Sequence, residues 1–70
     1  MSMNYAFNYA EIDPATRMCI GVTSTTAQQT ETDTLIAIPV NDPEYLCKYY
    51  INGNWYEDAE GTIPWTSSLL

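Results

Sequence analysis

Lys48-Tyr49-Tyr50-Ile51-Asn52-Gly53-Asn54-Trp55-Tyr56 decides how this chain folds. Asn-Gly supplies the two positive-φ positions of a type I′ turn, so Asn52-Gly53 predicts a β-hairpin with a two-residue loop. The register that follows sets Tyr50 opposite Trp55 and Tyr49 opposite Tyr56. Cross-strand aromatic pairs of this kind stabilise a two-stranded ladder.

Upstream of the hairpin, residues 41–47 suit one helical turn, with Asp42 as N-cap, Pro43 at the first helical position and Glu44 near the positive end. Residues 35–40 (Leu-Ile-Ala-Ile-Pro-Val) predict a strand, with Pro39 at its end or on an edge because it lacks an N–H. Residues 24–34 are polar, Thr-rich and without apolar period, and predict a flexible solvated loop. Earlier still, residues 5–12 alternate, placing Tyr5, Phe7 and Tyr9 on one face and Ala6, Asn8 and Ala10 on the other. That pattern predicts a strand with one buried face. Asp13-Pro14-Ala15-Thr16 reads as a turn. Residues 17–23 predict a partner strand with Met18, Ile20 and Val22 on one side. Gly21 marks a bulge or a place where an aromatic ring lies over the backbone.

Downstream, residues 57–61 form an acidic, turn-like exit, and residues 59–70 a tail without helical or strand period. Ile63, Trp65, Leu69 and Leu70 are too apolar to sit idle in water, so the tail docks on the sheet or contacts another chain. The expected fold is therefore a single small domain over residues 1–70, mainly β. Two antiparallel hairpins and an intervening strand make up its sheet, with one short helical turn.

Composition bounds the function. A chain of 70 residues buries only roughly 60% of the surface that its unfolded form exposes, so stability is marginal without a staple or an oligomer. Six Tyr, two Trp and one Phe are a heavy aromatic load for this length and favour strands. Nine acidic residues against two basic ones give a net charge of −7. With Arg17 and Lys48 the only cations, a surface that tracks phosphates cannot be built, which argues against nucleic acid and anionic membrane as partners. No stretch approaches the ~20 apolar residues of a membrane span, and the N-terminus lacks a basic and an apolar signal region. The expected location is the cytoplasm of the cell that makes it.

The acidity serves solubility or, as a sharper alternative, mimicry of a nucleic acid toward a basic host protein. Cys19 and Cys47 have no metal-type spacing and sit in apolar runs, where free buried thiols are expected. There is no His, no nucleophile-elbow pattern and no calcium-loop spacing among Glu57, Asp58 and Glu60 beside Asn52 and Asn54. The chain is expected to be no enzyme and to hold no cofactor or metal. Trp55, Tyr50, Tyr56, Trp65 and Leu69 are the candidate interaction residues, either as core or as a platform for a partner or a sugar ring. Asn52, Gly53, Gly21 and Pro43 are the structural ones.

The order Tyr9-Ala10-Glu11-Ile12-Asp13, Cys19-Ile20-Gly21-Val22, an apolar strand, Tyr45-Leu46 and Lys48 to Trp55 resembles a group of small proteins and tail-fibre end segments. These are encoded in the tail modules of phages and prophages of Gram-positive Firmicutes. The likeness spans roughly residues 5 to 56, in pieces that are each short. Cys47 stands where such sequences often carry Gly, and the tail beyond Trp55 is longer. The resemblance implies a tail-associated structural module without catalytic residues, made in the bacterial cytoplasm and carried on the virion. Self-association through the aromatic face, a sheet edge or the Trp65 tail is expected, with a phage tail or host protein as further partner. The alternatives are a small acidic inhibitor or adaptor of a host protein and a glycan-binding module.

Overall fold

The computed structural model describes residues 7–70. Strands β1 (Phe7–Ile12), β2 (Cys19–Thr25) and β3 (Leu35–Ile38) form one antiparallel sheet in the order β2-β1-β3. A 3₁₀ turn (Pro43–Tyr45) leads to β4 (Tyr49–Ile51) and β5 (Asn54–Tyr56), which pair with each other. The architecture is mainly β, as the sequence predicts. The second hairpin, however, makes its own two-stranded sheet rather than joining the first; Tyr5 and Ala6 of the expected first strand lie outside the described residues.

The local chemistry accounts for each connection. Asn52 and Gly53 take φ of 51° and 83°, and Tyr50 faces Trp55 while Tyr49 faces Tyr56. Asp42 caps the 3₁₀ turn by accepting from the Glu44 N–H at 2.9 Å, with Pro43 in the first turn. In the first hairpin the Asp13 carboxylate accepts from the Ala15 N–H at 2.8 Å. Arg17 closes that loop with φ of 66°, its N–H donating to the Asp13 carbonyl at 2.7 Å.

Ala10, Ile12, Cys19, Ile38 and Tyr45 form the buried core, with Val22, Ile36, Tyr50, Trp55 and Trp65 packed against it. Within β1 the core face is therefore that of Ala10 and Ile12, not the aromatic face of Phe7 and Tyr9. Tyr9 is also buried, because the following loop covers it: its hydroxyl accepts from the Gln29 N–H at 2.7 Å. The expected single buried face is thus replaced by two covered ones.

The second strand also departs from its expected alternation. Opposite Glu11 and Ile12, the register of β2 jumps from Gly21 to Cys19, leaving Ile20 as the extra residue of a bulge. Ile20 is consequently 56% exposed while Cys19 is buried, so Met18, Ile20 and Val22 do not share a face. The bulge expected at Gly21 lies one residue before it. No ring covers Gly21, whose Cβ position sits 3.4 Å from the Glu11 carboxyl carbon. Ser24 and Thr25 belong to β2 rather than to the loop, and Pro39 falls just past the end of β3.

The two sheets are spliced where β2 begins. Cys19 donates to the Lys48 carbonyl at 2.7 Å, Cys47 donates to the Cys19 carbonyl at 3.0 Å, and Tyr50 donates to the Arg17 carbonyl at 3.0 Å. Two residues, Cys47 and Lys48, thus oppose one, Cys19, and Cys47 has φ of 70°. This is the G1 type of bulge, whose first residue is ordinarily glycine because only glycine enters that region without steric cost.

Candidate interaction surface

The aromatic cluster forms where the hairpin, the 3₁₀ turn and the tail converge. Tyr45 stands edge-on to Trp55 and to Trp65, each with ring centroids 4.8 Å apart. Tyr50 lies 5.0 Å from Trp55. Such inclined contacts suit the ring quadrupoles and contribute about 0.5–1.5 kcal/mol each beyond area burial. The tail reaches the cluster as a strand-like addition to β5. Trp65 donates from its backbone to the Trp55 carbonyl at 3.0 Å, and Glu57 donates to the Ile63 carbonyl at 2.8 Å. Lys48 Nζ sits 5.1 Å from the centre of the Trp65 ring.

Of the candidate interaction residues, Tyr50, Trp55 and Trp65 are brought together, all half-buried against the core. Tyr56 is half-buried beside Gly61 instead. Leu69 is exposed and stands outside the cluster. The ring planes are inclined by 56° to 82° to one another, so no two of them form the flat platform that a stacked sugar needs. What remains open is a groove of about 280 Å³ lined by Pro39, Tyr45, Trp55, Trp65 and Leu70.

Sequence reasoning missed Tyr45, the centre of the cluster and 2% exposed. Its signal is the Tyr45-Leu46 pair that follows the Asp42-Pro43-Glu44 cap. Also missed was the anchor of the tail: the Ser67 hydroxyl donates to the buried Asp42 carboxylate. One oxygen of Asp42 caps the 3₁₀ turn and the other holds the tail. Burial raises the Tyr45 hydroxyl pKa above its ordinary value.

A second depression, of about 430 Å³, lies between Pro14, Arg17, Asp33, Tyr50 and Asn52. Its one cation is already engaged. Arg17 pairs with the Asp33 carboxylate at 3.3 Å and donates to the carbonyls of Asp33 and Tyr50 at 3.1 and 3.2 Å. It serves as a clamp between the first hairpin and β4, with no free charge for an anionic ligand.

Both cysteines are free thiols. Cys19 is buried, and burial pushes its pKa up. Cys47 is exposed, contrary to the expectation of two buried thiols, because the G1 bulge turns its backbone out of the strand. Among the described residues no group of His, Cys, Asp or Glu is placed to hold a metal ion.

The edges of the first sheet differ. Along β3 the Ala37 N–H points away from β1 and is capped by the Glu31 carboxylate at 2.8 Å, and Thr32 pairs with Leu35. Along β2, Cys19 is taken by Cys47 and Lys48, and no described residue accepts from or donates to the outward backbone groups beyond it.

Comparison with known proteins yields no matching family model, no matching curated protein and no matching solved structure.

Proposed function

We propose that this chain is a non-enzymatic structural and interaction module, self-associating and of the phage-tail kind. The observation that carries the reading is the outer edge of β2 beyond Cys19, whose outward backbone groups no described residue meets. The edges of β3, β4 and β5 are capped or bridged in part by Glu31, Thr32, Met18 and the tail. Exposed strand edges are templates for further pairing, and proteins that stay monomeric blunt them with charge, proline or a covering loop. From Met18 to Thr30 the chain has no charged residue and no proline. A small domain that leaves such an edge open gains stability when another chain covers it.

The polar groups that the fold buries are engaged in holding it. Asp42 caps a turn and anchors Ser67, and among the described residues no buried polar side-chain atom lacks a partner. The positive φ of Cys47 fits the glycine commonly found there in the tail-module proteins that this sequence resembles. A tail component would be made in the bacterial cytoplasm and incorporated in the virion.

Light scattering behind size exclusion, at two protein and two salt concentrations, tests the reading. An oligomer that persists at high salt is expected. A monomer under every condition, together with salt-sensitive capture of a basic host protein, would replace it with the acidic-inhibitor alternative.

A further inference from the structure

The direction of every backbone group along β2 follows from two contacts on the far side of β1. Ile12 donates to the Thr34 carbonyl at 2.8 Å, on the β3 side. Ala37, opposite Tyr9, donates outward to Glu31. Backbone groups alternate along a strand, so Asn8 and Ala10 point toward β3, and Phe7, Tyr9 and Glu11 toward β2. Their partners on β2 are Thr25, Thr23 and Gly21, whose N–H and C=O are thereby satisfied. Val22 and Ser24 must point theirs outward.

We propose that this edge pairs with the same edge of a second copy, antiparallel and about a twofold axis at Thr23. This deepens the self-association reading above and rests on it. Among the symmetric registers only this one sets both outward residues, Val22 and Ser24, against each other. An axis at Val22 would put Ser24 opposite the bulged Ile20, and one at Ser24 would put Val22 opposite Thr26, beyond the strand. Val22 faces Ser24 of the second copy, Ser24 faces its Val22, and each pair exchanges both N–H···O bonds. Thr23 then faces Thr23 across a non-hydrogen-bonded pair, and Gly21 faces Thr25. The two sheets become one, running β3-β1-β2 into β2-β1-β3 of the copy.

Length and charge select a second copy as occupant. The open stretch is bounded at Cys19 by the backbone of Cys47 and Lys48 and ends where the chain leaves β2 at Thr25. A strand laid there must depart after a few residues, as the copy's β2 does at its own Thr25. It must also bring no carboxylate to a molecule of charge −7, and β2 contains none. Isologous pairing of this kind closes on itself as a dimer.

The test uses the full chain with Cys47 replaced by Gly, which removes the exposed thiol at a position where glycine is at ease. Thr23→Cys places two thiols across the axis, where the paired Cα atoms are about 4.5 Å apart. Diamide is expected to convert it to a covalent dimer in high yield. Ser24→Cys, whose thiol faces Val22 of the copy, is expected to remain mostly uncrosslinked. In the otherwise unaltered chain, Thr23→Lys sets like charges face to face and is expected to give a folded monomer by light scattering and circular dichroism. An oligomeric parent chain with neither effect would overturn the β2 interface and leave self-association standing. A parent chain that is monomeric at every concentration would overturn both.

Discussion

Strands β1, β2 and β3 run for six, seven and four residues, whereas β4 and β5 have three each. A two-stranded hairpin that short is not stable alone in water. The first sheet has a three-stranded backbone ladder and carries the core side chains of Ala10, Ile12, Cys19 and Ile38. Yet no described residue pairs with the outer edge of β2 beyond Cys19. The second is short of ladder and depends on side chains: the four rings of Tyr45, Tyr50, Trp55 and Trp65, a tail docked along β5, and Ser67 tied to Asp42. The lesson is that one region has bonding capacity to spare at its edge, while the other depends on each of a few side chains. Association is therefore expected at the first, and the largest mutational losses at the second.

The sharpest way to break that comparison is Tyr45→Ala. Removing a buried aromatic at the centre of a cluster costs about 3–5 kcal/mol, against a total of roughly 3–10 kcal/mol for a domain of this length. The variant is expected to be largely unfolded by near-ultraviolet circular dichroism, whereas Tyr45→Phe should keep a cooperative urea transition. A Tyr45→Ala protein as stable as its parent would show that the rings are ornamental to the fold.

Ser67→Ala should come next. It leaves one oxygen of a buried carboxylate without its donor, a loss of about 1–3 kcal/mol, read as a lower urea midpoint. Proteolysis within the tail should accelerate in parallel, because Ser67 ties that segment to the 3₁₀ turn.

Cys47→Gly has the opposite sign. A side chain at φ of 70° costs about 1–2 kcal/mol, part of which glycine returns through its freer unfolded state. The expected gain is about 0.5–1 kcal/mol in urea unfolding. Lys48→Gly, one residue on, should give no gain.

The smallest effect concerns acid. The Asp58 carboxylate accepts from the Thr62 hydroxyl, from the Thr62 N–H at 2.9 Å and from the Ile63 N–H at 2.9 Å. The Thr62 hydroxyl bond, ahead of the backbone bonds, holds its pKa below the ordinary carboxylate value. A carboxyl depressed in the folded state contributes stability that is complete above its unfolded pKa and is lost as pH falls through the folded one. Asp58→Asn should therefore flatten the stability profile on the acid side only, and Thr62→Val should raise the Asp58 pKa in a carbon-detected titration.

How much of this was legible in the sequence depended on how local the cause was. Asn52-Gly53 and Asp42-Pro43 fix their turns through their own backbone requirements, and both are where the sequence placed them. The paired aromatics followed from the turn by counting. Ile20 was misplaced because a bulge is decided by both strands, and a strict period of two has no way to show it. The second covered face of β1 is not legible, because alternation does not reveal that Gln29 returns to cover Tyr9. The Ser67–Asp42 bond joins residues distant in sequence and leaves no local trace. The open edge of β2 was invisible until the partner of each strand was known, although the uncharged run from Met18 to Thr30 was in plain view.

Amide hydrogen exchange on the full chain, resolved by residue and repeated at low and high protein concentration, tests the central claim most directly. The account predicts that the Val22 and Ser24 amides gain protection as concentration rises. The Gly21, Thr23 and Thr25 amides, already bonded to β1, should stay as they were. Protection that grew instead around Trp55, Trp65 and Leu70, or at no residue, would contradict it.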